Sequence, residues 1–260
     1  MKRILLAATT ALAMVVAGAS GVNANELRWG FQTDTDSLDP HAHAVTFTIG
    51  FLGNVYEGLV RRDGDLKIKP ALAESWTVSD DATVWRFNLR KGVKFSNGND
   101  FTADDVLFSY KRMSDKDAQM KIALASIKEA RKIGDHTVEF ITHAPNPILT
   151  GRMNGFFIMD KEWSEANGAT KVTVMAGDTQ KVSPAGQTSM GTGPFVITER
   201  TAQVKTTLVP NKGWWGKASH NLTKVTMTPV KQDATRVAAL LSGELDMAYP
   251  IPTQDINRVN

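Results

Sequence analysis

Alternating apolar and polar side chains predict a series of short β-strands. Leu27, Trp29 and Phe31 recur at every second position, which places them on one face of a strand. Residues 83–90 alternate in the same way. Further strands are predicted at residues 137–142, 194–200, 204–209, 225–229 and 245–249. The segments 194–200 and 204–209 are expected to pair as a hairpin.

Apolar residues at helical spacing predict helices between these strands. The first covers residues 47–56, although two glycines lower its helix propensity. The second follows Thr102, whose side chain can cap it, with Asp104 and Asp105 in the first turn. Capping explains this carboxylate pair better than acid–base catalysis does. Further helices are predicted at residues 116–132 and 233–241. Because helices and strands do not alternate regularly, the pattern favours an α+β fold with a mixed sheet.

The first 24 residues have the pattern of a secretory signal. Lys2 and Arg3 precede an apolar run over residues 4–17, and small and polar residues follow as far as Ala24. A membrane anchor is the alternative, but the run is shorter than the ~20 residues that span a bilayer. We therefore predict cleavage after Ala24, and export to the periplasm.

Composition and charge narrow the function classes. The 260 residues include 42% hydrophobic and 22% charged residues, which is typical of a globular protein with a sizeable core. Cysteine is absent, which excludes disulfides and thiolate sites. The net charge is +3, but removing Lys2 and Arg3 leaves 28 basic residues against 27 acidic ones. No basic stripe remains that would indicate a nucleic-acid partner.

The sequence contains no established catalytic motif. It has neither a Gly-x-Ser-x-Gly elbow nor a phosphate-binding glycine loop. His41 and His43 lie near Asp39, which makes a metal site conceivable, but without further ligands the pattern favours an ordinary loop. Trp214 and Trp215 could stack on a ligand, although such a pair more often packs a hairpin against its neighbour.

Several motifs together resemble a known family. Residues 70–76 read PALAESW, residues 85–95 read WRFNLRKGVKF, and residues 101–106 read FTADDV. Later segments are GTGPF at 191–195 and LLSGELD at 240–246. In this order they resemble the extracellular solute-binding proteins of family 5, the peptide-, opine- and nickel-binding proteins of ATP-binding-cassette (ABC) importers. The resemblance covers nearly all of the chain after residue 24.

The resemblance implies a fold and a division into parts. Residues 25–260 would form the N-terminal lobe of a two-lobed type II periplasmic binding protein with a mixed β-sheet. Family members are about twice as long, so the chain is expected to be a fragment that lacks the second lobe. Within the lobe, residues 25–55 and 189–260 would form a hinge-proximal subdomain, and residues 56–188 an inserted one.

The implied function is ligand capture for transport. The chain would be the periplasmic component that binds di- and oligopeptides and delivers them to the membrane permease of an ABC importer. We expect a monomer that is not an enzyme, with no cofactor, no metal and no nucleic-acid partner. One alternative is the same fold binding nickel, an opine or a sugar. An exported hydrolase is disfavoured, because neither a nucleophile–base pair nor a cluster of metal ligands is present.

Three stretches are candidates for contact with the ligand. The family resemblance suggests the loop after the first strand, one threonine, and a second stretch that precedes residues 168–187, a polar, glycine-containing segment predicted to be a long surface loop. The residues are Val45, Thr46, Phe47, Asn154, Gly155, Phe156 and Thr192. Each could instead only shape its loop. A peptide main chain needs polar donors and acceptors, and Thr46 and Asn154 carry side chains of that kind.

Overall fold

The computed structural model describes residues 25–174 and 182–259. The predicted signal segment, residues 1–24, lies outside this part of the chain. The strands are β1 (Glu26–Phe31), β2 (Val60–Arg62), β3 (Ile68–Pro70), β4 (Ala73–Val78), β5 (Val84–Leu89), β6 (Ile127–Gly134), β7 (Thr137–Thr142), β8 (Phe195–Thr201), β9 (Lys205–Pro210), β10 (Lys224–Pro229) and β11 (Met247–Tyr249). The α-helices are α1 (Thr46–Leu52), α2 (Ala103–Met113), α3 (Leu149–Arg152), α4 (Lys161–Ala166), α5 (Asp233–Leu241) and α6 (Ile256–Val259). Short 3₁₀ turns cover Gln119–Leu124, Pro184–Gly186 and Thr253–Asp255.

A mixed five-stranded sheet joins distant parts of the sequence. Its strand order is β11-β1-β10-β9-β8. Strand β1 pairs in parallel with both β10 and β11, whereas β10, β9 and β8 are antiparallel neighbours. The predicted hairpin is therefore confirmed as β8 and β9, and the predicted mixed sheet is present. Parallel pairing requires long connections, which here contain most of the chain.

A second sheet is wholly antiparallel. It has four strands in the order β4-β5-β7-β6, and a separate two-stranded sheet pairs β2 with β3. Trp85, Phe87 and Leu89 of β5 are all buried, as the alternation predicted. Phe87 packs edge to face against Phe140 of β7 with ring centroids 5.7 Å apart. This sheet supports one hydrophobic core, and the five-stranded sheet supports another.

Helix α1 lies where the two cores meet. Its Phe51 and Leu52 are buried in the core of the five-stranded sheet. Ile49, on the same helix, packs against both cores. The prediction for this helix was three to four residues too long, because the chain leaves the helix at Gly53. The position of α1 matters for function, since Thr46 and Gly50 on it face a large cavity.

The helix predicted after Thr102 is α2. The Thr102 side chain accepts a hydrogen bond from the Asp104 amide at 3.3 Å. Asp105 returns the contact, because its Oδ2 accepts from the Thr102 amide at 2.8 Å. This reciprocal arrangement is a capping box. These contacts confirm the predicted cap and give the Asp105 side chain a capping role, whereas the Asp104 carboxylate pairs with Lys132 at 2.8 Å.

The helix predicted at residues 116–132 is wrong. The structure has the 3₁₀ turn Gln119–Leu124 and then the strand β6. Lys128 and Lys132, which lie in the predicted helix, therefore belong to an edge strand paired with β7. Long-range pairing with β7 overrides the local preference of an Ala- and Lys-rich segment for helix.

None of the helices in residues 25–174 and 182–259 has the length and apolar character that crossing a membrane requires.

Candidate functional site

A cavity of about 820 Å³ opens beside α1. Most of its lining comes from four parts of the chain: α1, the segment that leads into β2 and continues in it, the turn after α3, and the loop between β9 and β10. Residues contributed by these parts include Thr46, Gly50, Glu57, Asn154 and Trp215. A volume of this size matches that of ordinary small-ligand pockets.

Three of the seven predicted contact residues line this cavity. They are Thr46, Asn154 and Gly155. Gly155 has a φ of +81°, and a Cβ built there would lie 2.7 Å from the Met120 methyl group. The positive φ is what favours glycine at this position, since the Met120 methyl group is the end of a flexible side chain that can move aside. The polar groups that these residues offer are the Thr46 hydroxyl and the Asn154 amide.

The other four predicted residues lie outside the lining. Val45 is the exposed residue before α1. Phe47 stacks on Phe31 of β1 at a centroid distance of 3.9 Å. Phe156 is fully buried in the core beneath the four-stranded sheet, so its side chain is a packing group. Thr192 is also fully buried, and its hydroxyl donates to Glu57 at 2.9 Å.

Glu57 is a functional candidate that the sequence reasoning missed. Its Oε2 accepts from the Trp215 indole at 2.7 Å and from Thr192. Its Oε1 has the Trp214 indole at 3.4 Å, a long contact. Burial raises the pKa of this carboxyl, and the three donors only partly offset that effect. The signal in the sequence was an acidic residue within the run Val-Tyr-Glu-Gly-Leu.

The tryptophan pair both packs and lines the cavity. Trp215 contacts the core of the four-stranded sheet, and the guanidinium of Arg90 stands 4.3 Å from the centre of its ring. A cation over an indole face is an attractive arrangement. Trp214 is tilted by 59° against Trp215 at 6.0 Å. The indole rings are thus fixed in place beside Glu57.

A buried ionic cluster anchors the loop that leads to Val45. Asp39 forms a two-pronged pair with Arg112 of α2, at 2.7 and 2.6 Å. His41 is fully buried, with Nδ1 3.2 Å from Arg112 and Nε2 2.9 Å from the carbonyl of Phe157. Both ring nitrogens are occupied by protein groups, so His41 has no lone pair left for a metal. Across residues 25–174 and 182–259, no group of three or more His, Asp or Glu side chains is arranged to hold a metal ion.

Comparison with a family model decides whether the resemblance drawn from the motifs holds. The model of the bacterial extracellular solute-binding proteins, family 5 Middle, matches residues 67–260. The chain belongs to this family. The resemblance drawn from the motifs is thereby confirmed.

Individual relatives agree with this membership. The glutathione-binding protein GsiB of Salmonella choleraesuis (strain SC-B67) is 27% identical over 247 residues, covering 94% of this chain and 46% of the relative. The periplasmic binding protein DppA from Helicobacter pylori, solved with the peptide STSA, matches with a TM-score of 0.77 and 26% identity. That match covers 90% of this chain and 48% of DppA. AgaA from A. tumefaciens R10, solved with agropinic acid, also has a TM-score of 0.77 and 26% identity, with 90% and 45% covered.

The chain spans about half the length of the relatives it matches. Those relatives are two-lobed periplasmic binding proteins, and the mixed sheet and helices described above correspond to a single lobe. The fold class expected from the sequence is confirmed. The ligands differ among the relatives, since one is named for glutathione and others were solved with a peptide or an opine.

Proposed function

We propose that this chain is the periplasmic substrate-binding component of an ABC importer, which captures di- and oligopeptides and delivers them to a membrane permease. It binds without turnover, and it reaches the periplasm through a cleaved signal over residues 1–24. Membership of the solute-binding family supports the coarse part of this proposal. The ligand class is supported by relatives named for glutathione, itself a tripeptide, and solved with a peptide.

The observation that carries the proposal is the 820 Å³ cavity beside α1. Thr46, Asn154 and Gly155 line it together, although Thr46 is more than a hundred residues from the other two in sequence. They supply a hydroxyl, an amide and, at Gly155, a stretch of backbone without a side chain. Peptide main chain is recognised by groups of this kind, while a roomy cavity tolerates different side chains. Val45, Phe47, Phe156 and Thr192 would then act by shaping the walls.

We also propose that the chain divides into two subdomains. Residues 25–55 and 189–260 contribute every strand of the five-stranded sheet, whereas residues 56–188 contribute both antiparallel sheets. The cavity is lined from both parts. A ligand in it would therefore touch the hinge-proximal subdomain and the inserted one together.

Gly50 provides a sharp test of the proposed site. A Cβ at Gly50 would meet no atom within 4 Å, and the residue lies on α1 and lines the cavity. Gly50→Leu should fold at least as well as the parent, because leucine favours helix over glycine by about 1 kcal/mol. Its side chain would occupy the cavity.

The measurement is a titration of the isotope-labelled protein with Ala-Ala up to millimolar concentrations, followed by NMR. We expect saturable shifts at the amides of Thr46, Asn154 and Gly155, and their loss in Gly50→Leu. Gly134→Leu is the matched control, since a Cβ there also meets open space and Gly134 does not line the cavity. Shifts that persist in Gly50→Leu, or the absence of any saturable shift in the parent, would refute the proposed site.

A further inference from the structure

Three asparagines in the sequence are followed directly by glycine. They are Asn97, Asn154 and Asn167. Such a pair can react with itself, because glycine has no side chain to hinder attack of its backbone nitrogen on the asparagine side chain. All three asparagines are exposed, so exposure of the side chain does not distinguish them. A difference in reactivity must come from the hydrogen bonds that hold each pair.

The reaction converts an amide into a carboxylate without an enzyme. The backbone nitrogen of the glycine gives up its proton to water and forms a bond to Cγ of the asparagine, and the side-chain nitrogen leaves as ammonia. Water then opens the resulting five-membered imide, which yields aspartate or isoaspartate. The sum is asparagine plus water giving aspartate plus ammonia, with no oxidant or cofactor. Hydrogen bonds on the glycine N–H or on the asparagine amide oppose the reaction, because they must be broken first.

Asn97 is held at every group that would react. Its Nδ2 donates to Oδ2 of the buried Asp160 at 2.7 Å, and its Oδ1 accepts from the Asn99 amide at 3.1 Å. The Gly98 amide donates to the Phe95 carbonyl at 2.9 Å. A bond to a carboxylate is stronger than one between neutral groups. These three hydrogen bonds protect Asn97 from attack by the Gly98 nitrogen.

Asn167 is held less firmly. It follows α4, and its Nδ2 donates to the Trp163 carbonyl at 2.8 Å. The Gly168 amide has a long contact, 3.5 Å from the Glu165 carbonyl. One good hydrogen bond therefore has to break before this pair reacts.

Asn154 differs from both. Within residues 25–174 and 182–259, no group forms a hydrogen bond with its side chain or with the Gly155 amide. The Phe156 amide closes the turn by donating to the Met153 carbonyl at 3.0 Å, which uses neither reacting group. Gly155 is buried but lines the cavity beside α1, so water in the cavity reaches it. A buried N–H without a partner is unfavourable, and the imide no longer contains it.

We propose that Asn154 is a modification site, which the folded protein converts spontaneously to aspartate or isoaspartate ahead of Asn97 and Asn167. The change falls in the wall of the 820 Å³ cavity, which Asn154 lines. A neutral group that donates and accepts becomes a negative group that only accepts. The cavity would then contain two carboxylates, at Glu57 and at position 154. A ligand that accepts from the Asn154 amide would lose its donor, and this consequence rests on the proposed function.

Tryptic peptide mapping by mass spectrometry measures the three sites separately. Cleavage after lysine and arginine places them in residues 95–111, 153–161 and 162–171. In folded protein kept in mildly alkaline buffer, Asn154 should react at least about tenfold faster than Asn97, because the bonds at Asn97 must break first. Asn167 should be intermediate. In protein unfolded by urea, the three rates should agree within about threefold, because only the local Asn-Gly pairs remain.

Asn154→Gln is the matched variant for the chemistry. It keeps the side-chain amide, but its longer side chain would have to close a six-membered ring, which forms far more slowly. Conversion at position 154 should therefore stop, while Asn97 and Asn167 keep their rates. Equal rates at the three sites in the folded parent, or an order that is unchanged in urea, would overturn the proposal.

Titration with Ala-Ala tests the consequence for the ligand. Once most of Asn154 has reacted, the parent should bind Ala-Ala at least about threefold more weakly than when fresh. Asn154→Gln, kept for the same time, should retain its own initial affinity. If both proteins retain their affinity, the conversion does not affect the site and the functional part of the inference is overturned. If the fresh parent does not bind Ala-Ala, the proposed function fails, whereas the order of the three rates still decides the modification.

Discussion

His41 shows how neighbouring groups fix the state of a single side chain. Its Nε2 faces the Phe157 carbonyl, which can only accept, so Nε2 carries the proton. Its Nδ1 faces Arg112, which can only donate, so Nδ1 must be free of a proton. The ring is therefore neutral. Burial, followed by the charge of Arg112, lowers the pKa of His41 from 6.5 to about 4.

Replacing His41 by a residue that does not titrate should change the acid stability of the protein. Because the pKa of His41 is lower in the folded state, the unfolded chain binds the proton first, and stability is lost as the pH falls from 6.5 towards 4. The loss is on the order of 3 kcal/mol in the free energy of unfolding. Glutamine at position 41 can still donate to Phe157 and accept from Arg112, so His41→Gln should lose less over this interval. Urea unfolding at several pH values measures the difference.

The comparison of the two proteins isolates His41 together with Asp39, whose lowered pKa includes a contribution from the charge of His41. Asp105, with a pKa raised to about 6 by burial, and Glu57, with a raised pKa, act in the opposite direction. They are present in both proteins, so their effect cancels in the difference. Parallel stability curves for the parent and His41→Gln would show that protonation of His41 does not weaken the fold.

The sequence identified individual candidate residues, but not which of them lie close together in the structure. Thr46 and Asn154 were identified by the family resemblance, and the structure places both in one cavity. Phe156 was named beside them, yet its side chain turns into the core. Glu57 was missed because a single glutamate in an apolar run has no local partner. Its donors, Thr192 and Trp215, are more than a hundred residues away.

Local sequence signals predicted helices and strands correctly where the interacting groups lie within a few residues of one another. The cap at Thr102 was predictable because donor and acceptor lie within the first turn of α2. The prediction of a helix at residues 116–132 was wrong for the opposite reason. Their Ala and Lys content favours helix, but β6 is defined by its pairing with β7. Because β7 lies outside residues 116–132, no pattern within those residues predicts the pairing.

The capping box of α2 gives a prediction at this scale. Thr102→Ala removes the oxygen that accepts from the Asp104 amide, and should lower the free energy of unfolding by about 1 kcal/mol. Thr102→Ser keeps the oxygen and should recover most of that loss. Urea unfolding of the three proteins is sufficient. An equal loss in both variants would mean that the methyl group, rather than the cap, is what the structure needs at this position.

The five-stranded sheet ends at one edge in a short strand, β11, the last strand in the described chain. Strand β11 has three residues, Met247–Tyr249, and pairs only with β1 among the described strands. So few backbone bonds hold a strand weakly. Arg236 of α5 adds to them, since it is fully buried and its guanidinium donates twice to the Pro250 carbonyl, at 3.0 and 2.8 Å. It also donates to the Val230 carbonyl, just after β10, at 2.7 Å.

Arg236 therefore connects α5, the end of β10 and the end of β11, and we expect its planar fork to be essential for this. Lysine keeps the charge but cannot reach both carbonyls at once. Arg236→Lys should lower the free energy of unfolding by about 1.5–3 kcal/mol, because two partly buried carbonyls lose their charged donor. It should also speed hydrogen exchange at the β11 amides more than at those of β5, because the loss is local to the sheet edge.

Arg28→Lys is the matched control for this edge of the sheet. Arg28 also joins β1 to the segment before β11, through a pair with Asp246 at 2.6 Å, but both side chains are substantially exposed. Exposed pairs contribute little, so Arg28→Lys should change the free energy of unfolding far less than Arg236→Lys does and leave exchange at β11 nearly unchanged. If the two variants had the same effect on β11, the surface pair would be as important as the buried clamp. If exchange rose equally in β5 and β11 of Arg236→Lys, Arg236 would stabilise the whole lobe rather than the attachment of its last strand.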